Sequence, residues 1–289
     1  MPTDIPYTDE TWNPWQGCHK VSPGCDNCYM HRDKKRFGQD PTKVIRSADR
    51  TFYAPMKWAD GKFIMVPSWS DFFIEEADPW HIDAMEIMAE CPQHTFLVFT
   101  KRPERAIECI YGKTGGWYLG GGDYLPNVWW IVTCENQEMA DKRIPELFKL
   151  REKSSGWPVL GVSYEPALGP VDFAYVSATE MMLKGIQEPR GIDWLIMGGE
   201  SGPNARPMNP NWARAVRDQC IAAGVPYWFK QWGEWAPIHE MRANEPGIKG
   251  KLWHNFDPDT TVCRIGKKAA GNLLDGQRWE QRPEVTDAE

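Results

Sequence analysis

"DWLIMGGESGPNARPMNPNWARAVRDQCIAAGVPYWFKQW", Asp193 to Trp232, is the stretch that decides the fold. It opens on an unbroken apolar run, turns at two glycines, takes up a 3.6-residue periodicity and returns to an apolar run. Asn209 suits a helix cap, Pro210 the first turn and Gly224 the stop, while Trp212, Val216, Cys220 and Ala223 recur on one face. The pattern is strand, helix, strand.

The same alternation extends outward. Near-continuous apolar, β-branched runs occur at "FIMVPSW" (63–69), "TFLVFTK" (95–101), "VWWIVTC" (128–134) and "WPVLGVSY" (157–164). Runs of this kind fit strands of a parallel sheet buried on both faces. "PWHIDAMEIMAEC" and "ENQEMADKRIPELFKL" read as helices between them, with Pro145 expected to kink or split the second. Each strand candidate ends in polar residues: "SD" (70–71), "KR" (101–102), "EN" (135–136), "EP" (165–166), "GGES" (198–201) and "KQWGE" (230–234). A barrel gathers such ends at one mouth and an open sheet spreads them. The sequence therefore predicts an α/β fold, a partial or complete (β/α) barrel over residues 1–236, with a C-terminal extension over 237–289.

Hydrophobic residues make up 42% of the 289, enough for a full core. No apolar run reaches the length of a membrane span, and the start lacks the layout of a secretory signal, so a soluble cytoplasmic protein is expected. Eight cysteines there read as buried thiols or metal ligands rather than disulfides. A net charge of −7 argues against coating nucleic acid through the global field, though not against local patches. Sixteen tryptophans stand against roughly four at ordinary frequency, and suggest either an aromatic core or a groove that stacks flat rings.

"GCHKVSPGCDNCYMHR" (17–32) gathers Cys18, Cys25 and Cys28 in a loop bearing Gly, Pro and Asn. Three readings compete: a zinc site with His31 as fourth ligand, an iron–sulfur cluster with one open iron, or buried thiols. The loop follows "TWNPW", a first strand candidate, which sets it at the mouth of the expected barrel and favours the cluster.

A three-cysteine loop after the first strand resembles the radical S-adenosylmethionine (SAM) superfamily, with three more residues in the first gap than its CxxxCxxC. "TWNPWQGCHKVSPGCDNCYM", "SWSDFF", "FTKRPER", "NVWWIVTCENQ", "GVSYEPALGPVD", "DWLIMGGESGPNARPMNPNWARAVRDQC", "YWFKQWGEW" and "GKKAAGNLLDG" together resemble a phage-encoded family of atypical radical SAM proteins over nearly the whole chain. The resemblance implies a barrel of the radical SAM type. It also implies a [4Fe–4S] cluster on Cys18, Cys25 and Cys28, with SAM on the open iron cleaved to a 5′-deoxyadenosyl radical that abstracts hydrogen. Tyr29 would shield the cluster or touch adenine. Ser70 and Asp71 would meet the SAM amino group, Lys101 or Arg102 its carboxylate, and Glu135 and Asn136 its ribose. Gly198, Gly199, Glu200 and Ser201 would line the SAM or substrate pocket. Helix capping rivals these roles at Asp71, Arg102, Glu135 and Asn136.

For substrate, the resemblance implies an amino-acid-bearing thymidine in phage DNA, rearranged by a glycyl-thymidine type isomerase, with an electron donor such as a flavodoxin or ferredoxin. The expected catalytic set is Glu165, Lys230 and Gln231. "HRDKKR" (31–36), Arg206, Lys230, Arg242, Lys249 and Lys251 are candidate phosphate contacts, and Trp117, Trp232 and Trp235 candidate stacking rings. A radical SAM enzyme acting on a small molecule or RNA, and a zinc-stapled adaptor without catalysis, are the alternatives.

Overall fold

The structure, a computed structural model, describes residues 3, 5–111, 125–154, 156, 158–173, 191–238, 248 and 250–284. Trp117, a candidate stacking ring, lies outside them, as do Arg242 and Lys249. The chain forms two compact units, Met1–Thr133 with Lys142–Gly161 and Asp287–Glu289, and Cys134–Asp141 with Val162–Thr286.

In the first unit, β1 (Glu10–Thr11), β4 (Phe63–Val66), β5 (Thr95–Thr100) and β6 (Val128–Thr133) pair in parallel in that order, and β2 (Trp15–Gln16) pairs antiparallel with β3 (Ile45–Arg46). Its helices are α1 (Tyr29–Arg36), α2 (Asp49–Phe52), α3 (Asp78–Glu90) and α4 (Ala106–Tyr111). "TWNPW" is not one strand. Pro14 has no N–H to give a ladder, and Asn13 Oδ1 instead accepts from the Ser68 and Trp69 N–H at 2.8 and 2.7 Å. Helix α5 (Gln137–Lys153) carries Pro145 in its interior and is not split. Its apolar stripe, Met139, Ala140, Ile144, Leu147, Phe148 and Leu150, is buried. At roughly 1.5–3 kcal/mol per large side chain, that burial outweighs a proline cost of about 3 kcal/mol.

The second unit holds β8 (Trp194–Gly198) parallel to β9 (Tyr227–Gln231), the larger part of β7 (Leu160–Tyr164), and a three-stranded sheet in the order β10 (Trp235–Pro237), β12 (Thr260–Arg264), β11 (Trp253–Asp257). Its helices among the described residues include α6 (Pro210–Ala223) and α7 (Lys267–Ala270). The α6 ends are as expected: Asn209 accepts from the Asn211 N–H at 2.9 Å, and Gly224 takes φ +67°. The buried stripe is Pro210, Ala213, Val216 and Cys220, with Ala223 exposed.

All six long strand candidates form, but the predicted barrel of the radical SAM type is not what the chain makes. The parallel strands pair in the order β1-β4-β5-β6-β7-β8-β9, an α/β arrangement compatible with a partial barrel. Sequential parallel order is common to barrels and open sheets. Closure additionally requires the first and last strands to pair in a consistent shear, and polar strand ends do not encode that. The tryptophans are mainly core. Trp12, Trp15, Trp129, Trp194 and Trp232 are fully buried. The indole N–H of Trp12 donates to Phe52 O at 3.0 Å and that of Trp15 to Asp71 O at 3.1 Å. Among the described residues, no helix is long and apolar enough to cross a membrane.

Candidate functional site

In the first unit, the cysteine loop is fastened before it reaches its thiols. Gly17 adopts φ +104°, and a Cβ there would lie 2.3 Å from the Lys43 carbonyl oxygen, so no other residue fits. Its N–H donates to Trp69 O at 3.0 Å, the Cys18 N–H donates to Pro41 O at 2.9 Å, and Ser70 Oγ donates to Gly17 O at 2.6 Å. A single tight turn, Pro23–Cys25, presents the buried Cys25. The Cys28 N–H then donates to Cys25 O at 3.3 Å, and Cys28 leads directly into α1. Lys20 Nζ closes the loop on Asp26 O at 2.8 Å.

His31 is buried, and its ring is hydrogen-bonded to the Cys18 backbone. Burial, helped by Lys20 and Lys35, holds its pKa down, so the ring is a neutral strut between α1 and the loop. All three cysteines are free thiols. A tetrahedral zinc with bonds of about 2.3 Å holds its sulfurs about 4 Å apart. Among the described residues, the set of three His, Cys, Asp or Glu donors lying within 4.8 Å of one another is Asp78, His81 and Cys109, not the loop thiols. The loop is therefore not preset for one ion with His31. Three cysteine thiols in one loop are the donor set that a cluster with one open iron would use.

Arg102 is the charge partner of this loop. Its Nη1 lies 3.7 Å from Cys18 Sγ and 3.1 Å from Asp71 Oδ2, and its Nη2 donates to His19 O at 2.9 Å. Asp71 also accepts from Thr100 Oγ1 (2.7 Å), the Lys101 N–H (2.7 Å) and the Phe73 N–H (3.1 Å). Burial pushes the Cys18 thiol up to about 12; Asp71 adds to this and Arg102 opposes it. Burial works against the Arg102 charge too, but Asp71 and Cys18 more than offset it. Without a metal, Cys18 is thus a protonated thiol beside a cation suited to its thiolate. The Tyr29 hydroxyl donates to Ser68 O, leaving its ring 43% exposed. The sequence offered Arg102 for a carboxylate or a helix start; its hold on Cys18 depends on a contact 84 residues apart that no local pattern signals. The His19–Glu76 pair, 2.6 Å apart, was not anticipated at all.

The second unit brings together Glu165 and Lys230. Lys230 Nζ donates to Glu165 Oε2 at 2.6 Å, with side chains only 18% and 15% exposed. Gly198 lies against both: a Cβ there would be 3.5 Å from Glu165 Oε2 and from Lys230 Cβ. At Gly199 a Cβ would fall 2.0 Å from Trp232 O, so glycine lets the ends of β8 and β9 meet, and the Gly199 N–H donates to Gln231 O at 2.9 Å. Gln231 is buried, and Ser201 is exposed. A part-buried ammonium–carboxylate couple of this kind can bind a polar group through charge-assisted hydrogen bonds.

Other expected residues have structural duties. Asn136 Oδ1 accepts from the Met139 N–H at 3.0 Å, the capping role that rivalled ribose binding. Glu135 is fully buried, and its carbonyl accepts from the Leu168 N–H at 2.8 Å. Glu200 accepts from Arg206 Nη2 at 2.6 Å and Nε at 2.9 Å, which takes Arg206 away from phosphate. Trp232 and Trp235 are buried, with indole N–H groups donating to Leu273 O and Ala205 O at 2.7 Å, so neither is a stacking platform. In "HRDKKR", His31 and Lys34 are buried while Arg32, Lys35 and Arg36 are exposed.

No curated protein and no solved structure matches the chain. The family described as "Protein of unknown function (DUF5131)" matches residues 2–283. That span takes in the cysteine loop, Arg102, the Glu165–Lys230 pair and the segment after β12, and on this match the chain belongs to the DUF5131 family.

Proposed function

We propose that the chain is a radical SAM enzyme, holding a [4Fe–4S] cluster on Cys18, Cys25 and Cys28 and isomerising an amino-acid-bearing thymidine of the glycyl type in DNA. One observation carries this reading. Three free thiols, Cys18, Cys25 and Cys28, sit in one fastened loop, while the nearby histidine is tied to the backbone. When bound, such a cluster supplies the electron that cleaves SAM and so the means of abstracting hydrogen from a substrate.

The chain's residues do the holding. Arg102 balances the negative charge of Cys18 as a thiolate, and Asp71 keeps that guanidinium in place. Because Asp71 already accepts from four donors, the SAM ammonium needs another acceptor. Glu165 and Lys230 offer the polar couple for substrate. Nucleic acid is favoured by charge: Gly17 to Lys57 holds nine Lys or Arg against four Asp or Glu, in a chain of net charge −7. Lys20, Arg32, Lys35, Arg36, Lys43 and Arg50 are exposed there, interleaved with exposed Tyr29, Phe37 and Tyr53. The electron comes from an external carrier of flavodoxin or ferredoxin type.

The test is anaerobic reconstitution with iron and sulfide. The expected protein is brown, holds about four irons per chain, and forms 5′-deoxyadenosine from SAM under a reductant, whereas Cys25→Ala does neither. A colourless protein whose loop thiols hold one zinc overturns the reading. A glycyl-modified duplex should bind with an affinity that falls steeply with salt; equal turnover of the free nucleoside would remove DNA as substrate.

A further inference from the structure

Asp78, His81 and Cys109 each place one donor atom within 4.8 Å of the other two, outside the cysteine loop. Asp78 and His81 are three residues apart in the first turns of α3, and so share a face; Cys109 comes from α4. Two consecutive carbonyls orient the group. Phe72 O accepts from His81 Nε2 at 2.6 Å, and Phe73 O accepts from Arg105 Nη1 at 2.8 Å. Arg105 Nη2 in turn grips both Asp78 oxygens, at 2.9 and 2.8 Å. His81 is 3% exposed, walled by Trp15, Phe72 and Phe73 with ring centroids at 5.3, 5.4 and 6.2 Å.

A salt-bridged helix start accounts for Asp78 and Arg105 but not for a buried imidazole and a thiol beside them. A Cys–His–Asp nucleophile also fails. It needs the acid on one ring nitrogen and the thiol on the other. Here Nε2 is spent on Phe72 O, and Asp78 Oδ1 lies 3.4 Å from Nδ1. What remains is three donor atoms of metal-ligand type within 4.8 Å of one another. The histidine's second nitrogen is anchored to a carbonyl and the carboxylate is hydrogen-bonded from behind, the outer arrangement typical of metal ligands.

We propose that Asp78, His81 and Cys109 form a second metal site, for a divalent cation of zinc type, bound through Nδ1, Sγ and one carboxylate oxygen with a fourth position left to water. Binding releases the Cys109 thiol proton. The site is separate from the loop thiols and does not depend on their cluster.

Cobalt(II) is the probe, added to full-length protein carrying Cys18→Ala, Cys25→Ala and Cys28→Ala, so that no loop thiol contributes. The expected result is a thiolate-to-cobalt charge-transfer band, bleached by zinc, lost on adding Cys109→Ser and weakened at least tenfold in affinity by His81→Gln. No band, or a band indifferent to Cys109→Ser, overturns the proposal. Should the triple variant not fold, zinc per chain after loading and desalting is compared between wild type and Cys109→Ser. A difference of one equivalent supports the site, and equal content overturns it.

Discussion

Gly17 and Gly38 both adopt positive φ, at +104° and +67°, yet they differ in what surrounds them. A Cβ at Gly38 meets nothing within 4 Å, whereas at Gly17 it meets the Lys43 backbone at 2.3 Å. Gly38→Ala should cost about 1 kcal/mol, the left-handed penalty alone. Gly17→Ala should cost about 3 kcal/mol, because backbone must also move. Denaturant midpoints of the two variants test this, and equal losses would mean that the Gly17 contact does not constrain the loop. The Glu165–Lys230 pair makes a different claim. Lys230→Met leaves a part-buried carboxylate without this partner and should destabilise by about 1–2 kcal/mol, while Glu165→Met with Lys230→Met should return to within about 1 kcal/mol of wild type. A double-mutant cycle reads the coupling, and simple additivity would show that the pair contributes nothing as a pair. The residue identities at these places were legible in the sequence as polar strand ends. Their partners were not, because 65 residues separate Glu165 from Lys230 and no local pattern records the distance.

Helix α6 shows what the element scale does reveal. Cap, first-turn proline and terminal glycine are local chemistry, so the sequence marked its limits, and Asn209 fulfils its role directly. Asn209→Ala should cost about 1 kcal/mol and Asn209→Asp only a few tenths, measured as midpoint shifts at constant denaturant slope. The stripe was displaced, from Trp212 and Ala223 towards Pro210 and Ala213, because Trp212 packs edge-on against Phe256 at 5.6 Å instead of on the core. Its outer face carries a pH-dependent tether. Arg214 and Arg217 reach Asp275 at 2.7 and 2.6 Å, and these bonds, Arg214 first, hold the Asp275 carboxyl below its usual value. A depressed carboxyl contributes stability above the unfolded pKa of about 3.9 and loses it as pH falls through the folded value. Asp275→Asn should therefore be less stable than wild type at pH 7, by no more than about 1 kcal/mol because the groups are partly solvated. The gap should close in acid. A gap that stayed constant from neutral to strongly acidic pH would assign the effect to packing. In α5, by contrast, Pro145 misled, since propensity weighs one lost backbone bond and not the buried stripe around it.

At the scale of the whole molecule, six of the seven strands of the parallel sheet were readable as apolar runs, whereas the two-residue β1 was not, and neither was closure, which polar strand ends do not encode. The last strand, β9, pairs with the C-terminal segment. The Phe229 N–H donates to Trp279 O at 2.8 Å, the Gln281 N–H donates to Tyr227 O at 3.1 Å, and Trp228 bridges Glu280 in antiparallel fashion. Gln281 returns twice more, its carbonyl accepting from Trp194 Nε1 at 2.9 Å and its side chain from the Tyr227 N–H at 3.0 Å. Arg282 lies over the Trp228 ring at 5.0 Å. A parallel sheet with an apolar end strand is a template for association with another chain, and this segment occupies that template. Ending the chain at Gly276 should expose the Tyr227–Gln231 edge while leaving β10 to β12 in place. The truncated protein should elute as soluble aggregates or mixed oligomers and melt several degrees lower. Restoring residues 277–283 alone should recover a single species. If the truncated chain instead stays monodisperse with an unchanged melting temperature, the segment is only an appendage, and some other part of the molecule must shield β9.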